Sequence, residues 1–260
     1  MVRKISNLLV MFMGDDVKTV AMTAVFISLV FVFTIIVTIA IPATKGFWNV
    51  GEAGVYIAAI LAGPIIGAVA GGIGSALADI VLGYAIYAPG TLIIKGSEGF
   101  IVGGLYKILG DKETGRRDIP MTLAVLICCS GLLSGMLYIY GSRVGVITVE
   151  LPLALFDTSI ILQIHYILLL LVVILITIIS VLLLVFGGKR MIMIYSCLVG
   201  GFVMVLGYFL YETLLVGGEV ALVEVVPNFI QVIMGILIAI PVIEKLEELG
   251  VIAKYRESMG

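Results

Sequence analysis

Three groups of polar side chains stand out in a chain otherwise built of apolar runs. Asp79, Lys95 and Glu98 sit inside such runs, and Lys95 and Glu98, three residues apart, share a helical face. Tyr208 and Glu212 are four apart in one late run, while Asn228 and Gln231 are three apart in the next, so each pair shares a face. The third group, Trp48, Asn49 and Glu52, follows Pro42 between two runs. Ionisable groups at membrane depth face a protein interior or a wet cavity. Carboxylates, amides and aromatic rings together are what a small-molecule pocket is made of. Each group also has a plainer reading. Lys95 can pair with Asp79 or Glu98 simply to hold helices together. Tyr208, Glu212 and Trp48 can form an interfacial belt, and Asn49 and Glu52 can cap the helix that follows.

Other chemistry finds weaker support. Ser75 as a nucleophile needs a base, and the sole histidine, His165, is expected near the opposite membrane face, so an intramembrane serine protease is a distant alternative. His165 has no metal partners at ligand spacing, Cys128, Cys129 and Cys197 lie in apolar runs as packing residues, and no metal or cofactor is expected. The stretch 63–75 is glycine-rich but lacks the Gly-Lys-Ser/Thr ending of a phosphate loop. Its Gly67 and Gly71 form a small-x-x-x-small pair suited to close helix packing. No basic patch or motif suggests nucleic acid.

These residues must be positioned by membrane helices. Of 260 residues 62% are hydrophobic and 12% charged, with a mean hydropathy of +1.28. A soluble fold of that make-up leaves large apolar surface in water, whereas a bilayer requires it and accepts helices, which satisfy their own backbone. A ruler of roughly 20 apolar residues per span gives eight expected spans, at 19–41, 53–70, 71–88, 91–109, 121–140, 160–186, 191–215 and 225–243. Residues 1–18 lack a cleavage-site pattern and are expected as a cytoplasmic lead-in, with 244–260 as a cytoplasmic tail. With both termini inside, all of the 15 basic residues but Lys45, Lys95 and Arg143 face the cytoplasm, as the positive-inside rule requires.

In order and spacing, Asn49-Val-Gly51-Glu52, Ala62-Gly63-Pro64, Ala78-Asp79, Gly83-Tyr84, Ile94-Lys95-Gly96-Ser-Glu98-Gly99, Gly207-Tyr208-Phe-Leu-Tyr-Glu212 and Pro227-Asn228-Phe-Ile-Gln231 form a set. On these segments, over about two-thirds of the chain, the sequence resembles the substrate-binding S components of energy-coupling factor (ECF) vitamin transporters, the riboflavin-type group. The resemblance implies an all-α integral membrane protein of the plasma membrane with a six-helix core, and no enzyme. Its implied task is to capture a vitamin or precursor, riboflavin first, from outside. It further implies docking on a membrane coupling subunit driven by two cytoplasmic ATPase subunits, and the chain carries no Walker motif of its own. The implied substrate residues are Trp48, Asn49, Glu52, Asp79, Tyr84, Lys95, Glu98, Tyr208, Glu212, Asn228 and Gln231, with Trp48, Tyr84 and Tyr208 available to stack on a flat ring. The family's Ala-x-x-x-Ala docking motif corresponds to Ala24-Val-Phe-Ile-Ser28, with Ala21 beside it.

The sequence departs from the family pattern at 120–188, where a hairpin of two further spans divides core spans 19–119 from core spans 189–243. A solitary ion-coupled transporter, using Asp79, Lys95 and Glu98, is the alternative from another class.

Overall fold

Proline and glycine set where the apolar runs break. In the computed structural model, which describes residues 15–110, 115–153, 158–186 and 188–250, the chain runs α1 (Asp15–Ile36), β1 (Thr38–Ile41), β2 (Gly46–Asn49), α2 (Gly51–Ala62), α3 (Pro64–Val81) and α4 (Ala88–Gly110). It continues as α5 (Gly115–Val144), β3 (Val146–Leu153), β4 (Thr158–His165), α6 (Tyr166–Phe186), α7 (Lys189–Val216) and α8 (Gly218–Glu248). Most of the expected lead-in and the end of the expected tail lie outside the described residues.

The boundary expected between 70 and 71 falls instead at Gly63. That residue adopts φ 86°, open to glycine at little cost, and Pro64 opens the next helix. Gly71 and Gly72 stay helical because α4 lies against them: a Cβ on either would come within 2.7 Å of a backbone oxygen, of Lys95 or Leu92 respectively. Six of the eight described helices, all but α2 and α4, are long and apolar enough to cross a membrane. With 12 residues, α2 is about 18 Å long, short of a hydrocarbon core of about 30 Å. The other, α4, has ample length at 23 residues but carries Lys95, Glu98 and Lys107.

The chain is all-α as expected, and two antiparallel two-stranded β-hairpins interrupt its helices. The register Ile39↔Trp48 and Ala40↔Phe47 pairs β1 with β2. In the second hairpin Val146 faces His165 and Ile147 faces Ile164. The expected span 160–186 thus yields its first residues to β4, where Ile160, Ile161 and Ile164 favour an extended chain.

The core has two parts. One joins Phe26 and Val30 of α1, Val55 and Tyr56 of α2, Cys197 of α7 and Ile240 of α8. In the other, Leu126, Leu133 and Leu137 of α5 and Leu169 and Val173 of α6 pack with Phe202 and Phe209 of α7 and Leu222 and Phe229 of α8. The two helices of the expected insertion therefore share a core with the last two helices. On α6, Leu168, Leu171, Leu175, Ile178 and Leu182 form an exposed apolar stripe. At the start of α7 and the end of α8, Lys189 pairs with Glu247 at 2.6 Å and Arg190 with Glu244 at 3.4 Å.

Candidate functional site

At the opposite ends of α7 and α8 a cavity opens, with about 380 Å³ of empty space including its mouth. Its wall is assembled from five elements and one connection. Gly46, Phe47 and Asn49 come from β2, Asp79 from α3, Tyr87 from the α3–α4 connection, Thr91 and Lys95 from α4, Tyr208 and Glu212 from α7, and Glu224, Asn228 and Gln231 from α8.

Periodicity explains most of these placements. Tyr208 and Glu212 are one helical turn apart, and Glu224, Asn228 and Gln231 follow the i, i+4, i+7 rhythm of a single face. Successive strand residues point to opposite sides, so Phe47 and Asn49 reach the cavity and Trp48 does not. Trp48, expected at the pocket, instead has a buried indole Nε1 with no hydrogen-bond partner. Tyr84 is also off the lining; its ring packs against Phe47, with centroids 4.5 Å apart.

Beneath the cavity lies a buried ionic cluster. The ammonium of Lys95 pairs with Glu52, at the start of α2, and with Glu98 one turn along α4 at 3.2 Å. The sequence offered Asp79 or Glu98 as partners for Lys95; the structure pairs it with Glu98 and with Glu52, which α2 brings against α4. Glu52 and Glu98 are fully buried, and Lys95 is 4% exposed. The Lys95 nitrogen also stands 5.8 Å from the centre of the Tyr208 ring.

Hydrogen bonds tie the rim to the helices. Thr44, in the turn of the first hairpin, donates to a carboxylate oxygen of Glu224. Tyr87 donates to the Thr44 carbonyl oxygen at 2.8 Å. Tyr208 donates to Thr91 Oγ1 at 3.0 Å, and Gln231 Nε2 donates to Asn228 Oδ1 at 2.9 Å. Asn49 accepts from the Gly51 backbone N–H at 2.7 Å, at the approach to α2. Asp79 Oδ2, Glu212 Oε2 and Gln231 Oε1 remain buried without partners.

Of the eleven sequence-derived substrate residues, Asn49, Asp79, Lys95, Tyr208, Glu212, Asn228 and Gln231 line the cavity, and Glu52 and Glu98 support it through Lys95. Phe47, Tyr87, Thr91 and Glu224 were not anticipated. Glu224 was passed over because the expected span began at 225, leaving it outside the run, whereas α8 begins at Gly218 and carries it. Ser75 is buried in α3 with its Oγ unpartnered, while His165 is exposed at the end of β4 and its ring stacks on Tyr166, so they form no nucleophile–base pair. Ala21, Ala24 and Ser28 are exposed on α1, on the side away from buried Phe26 and Val30.

Residues 15–176 match the model of a family described as ECF-type riboflavin transporter, S component. A Pyrococcus woesei protein named only as an uncharacterized protein in the gap 3' region is 42% identical over 110 residues, 42% of this chain and 72% of that relative. The thiamine precursor transporter HmpT of Lactococcus lactis subsp. cremoris is 27% identical over 134 residues, 51% of this chain and 76% of that protein. No solved structure matches the chain.

Proposed function

This chain belongs to the ECF-type riboflavin transporter S component family, and on that premise we propose that it captures a heterocyclic vitamin or vitamin precursor from outside the cell for delivery to an energy-coupling complex. It is a multi-pass protein of the cell membrane and its family is one of transporter components. The observation that carries the proposal is the cavity itself. Polar residues from α3, α4, α7, α8 and β2 converge there among apolar helices, and polar groups within apolar membrane helices are costly and mark function.

Orientation follows from charge. Lys189 and Arg190 open α7 and Lys107 ends α4, at the ends away from the cavity. The positive-inside rule puts those ends in the cytoplasm and the cavity outside. Eight spans with both termini cytoplasmic, and residues 120–188 as an insertion between core helices, agree with that arrangement. The exposed small side chains Ala21, Ala24 and Ser28 give α1 a face on which a second helix can approach closely. That face is proposed as the contact with a membrane coupling subunit, itself driven by two cytoplasmic ATPases. Among ligands, riboflavin comes from the family's description, and the Phe47 and Tyr87 rings at the cavity suit any flat heterocycle.

The direct test is ligand retention. Purified protein is expected to hold a vitamin or precursor without ATP, identified by mass spectrometry, and Asn228→Ala is expected to weaken binding about 10-fold or more. Unchanged affinity overturns the site, and substrate uptake by this chain alone, in cells without a coupling complex, overturns the S-component role.

A further inference from the structure

The turn that joins α7 to α8 has no slack. The first helix ends at Val216 and the second begins at Gly218, so Gly217 alone reverses the chain, at φ 91°, a conformation that favours glycine. Both helices carry cavity residues close to that turn, Tyr208 and Glu212 before it and Glu224, Asn228 and Gln231 after it. A shift of the first turn of α8 therefore passes to the wall.

One side chain off the cavity lining bears on that first turn. The ring of Tyr140, near the C-terminal end of α5, lies so close to Gly218 that a Cβ there would collide with its Cδ1, Cε1 and Cζ. The ring has little freedom to swing aside. It meets Phe209 of α7 edge-on, with centroids 5.9 Å apart, and the Arg143 guanidinium stands 5.7 Å from its centre. Its helix is held in turn by α6, because a Cβ on Gly141 would come within 2.6 Å of Tyr166. Deeper in the fold, Leu133 and Leu137 of α5 share a buried cluster with Leu222 and Val225 of α8, which flank Glu224 in sequence.

The first hairpin is backed from the same side. The strand that follows α5, β3, packs against β1 and α8, and Ile147 near its start is 2% exposed. The partner of β1 is β2, whose Phe47 and Asn49 line the cavity. Thr44, in the turn of this hairpin, reaches across to Glu224. That hydrogen bond closes between two elements, and α5 with β3 stands behind both.

We propose that Tyr140 is a positioning residue of the capture site: it fixes where α8 begins, and so where Glu224 meets Thr44 and where Asn228 and Gln231 stand, without itself lining the cavity. The inference rests on the capture reading above. Preorganisation of this kind shows in affinity, because a loosened wall must be ordered anew when a ligand binds.

Calorimetric titration of the purified full-length chain separates two effects, since Kd reports the geometry of the site and the number of sites reports the folded fraction. Riboflavin, thiamine and any molecule retained on purification are the probes, and the tightest binder to the wild type is carried through the variants. Gly218→Ala, which forces the ring and the turn apart, is expected to weaken binding by about 10-fold with the number of sites unchanged. Tyr140→Ala is expected to weaken it by about 5-fold, and the conservative Tyr140→Phe, which keeps the ring, to restore it to within about 2-fold of wild type. The double variant Tyr140→Ala/Gly218→Ala is expected to bind no worse than Tyr140→Ala, since the new methyl then has room. Should Gly218→Ala fail to fold, Tyr140→Ala against Tyr140→Phe decides alone. Unchanged Kd in both single alanine variants, equal losses in Tyr140→Phe and Tyr140→Ala, a fall in the number of sites at constant Kd, or losses that simply add in the double variant overturn the positioning role and leave the capture reading standing. If neither vitamin binds the wild type and no small molecule is retained, the capture reading falls and takes this inference with it.

Discussion

Lys95 is the residue on which the floor of the cavity depends. It joins Glu52 of α2 to Glu98 of α4 in full burial, and removing one partner of such a set leaves uncompensated charge. Lys95→Ala is therefore expected to destabilise the fold by roughly 3–5 kcal/mol, read as a lower thermal midpoint in detergent, whereas replacing exposed Lys189, paired at the surface with Glu247, is expected to cost less than about 1 kcal/mol. On the wall, Phe47 and Trp48 offer a comparison between neighbours. Phe47→Ala is expected to weaken ligand binding by about 1 kcal/mol or more through lost ring contact, and Trp48→Ala to leave affinity nearly unchanged; equal losses in titration calorimetry would contradict the strand alternation argued here. The sequence pointed to Trp48 because a lone tryptophan in an outer loop draws the eye. Its orientation was not legible, since a four-residue strand is too short for alternation to register as a pattern. Glu212, Asn228 and Gln231 were legible because helical spacing of polar residues in an apolar run leaves few other interpretations.

At the scale of elements, glycine carries the packing of α3. A Cβ on Gly67 would lie 2.7 Å from Ala59 Cα and 2.9 Å from the Gly99 carbonyl oxygen, so α2, α3 and α4 meet backbone to backbone. Gly67→Leu is expected to reduce the yield of folded, monodisperse protein sharply, because backbone cannot move aside as a side chain can; overpacking of even ordinary cores costs about 1–3 kcal/mol. On α1 the outcome differs. Ala24→Leu on an exposed face is expected to leave the thermal midpoint and ligand affinity unchanged while preventing co-purification with the coupling complex. The close-packing role of Gly67 and Gly71 was readable from their four-residue spacing. Where α2 ends was not, because Gly63-Pro64 and Gly71-Gly72 carry similar breaking signals and only the position of α4 separates them. The hairpins stayed hidden for a related reason. Ile160-Ile161-Leu162 adjoins the long apolar run of α6, so a hydropathy ruler counts it into a span as readily as into a strand.

For the molecule as a whole, the proposed orientation rests on the basic residues Lys107, Lys189 and Arg190, which lie at the helix ends away from the cavity. With Cys128, Cys129 and Cys197 replaced by alanine, Lys45→Cys in the exposed turn beside β2 is expected to react with an impermeant maleimide in intact cells. Lys189→Cys is expected to react only after permeabilisation, and the reverse pattern would invert the topology. The extra helices were countable from hydropathy, yet their attachment was not. Leu133 of α5 and Val173 of α6 are fully buried in one cluster with Phe202 of α7, so the pair read from the sequence as an insertion shares a packed core with α7.

The short helix α2 has ten consecutive buried residues, Gly51 to Ile60, and α1, α3, α4 and α8 all pack against it. No small fluctuation can bring its amides to water, since four helices would have to part together. In a deuterium-exchange experiment, α2 should therefore exchange only through global unfolding and report the total stability of the protein. A bound ligand adds its own free energy to that barrier, so slowing of exchange along α2 becomes a measure of affinity taken without touching the cavity.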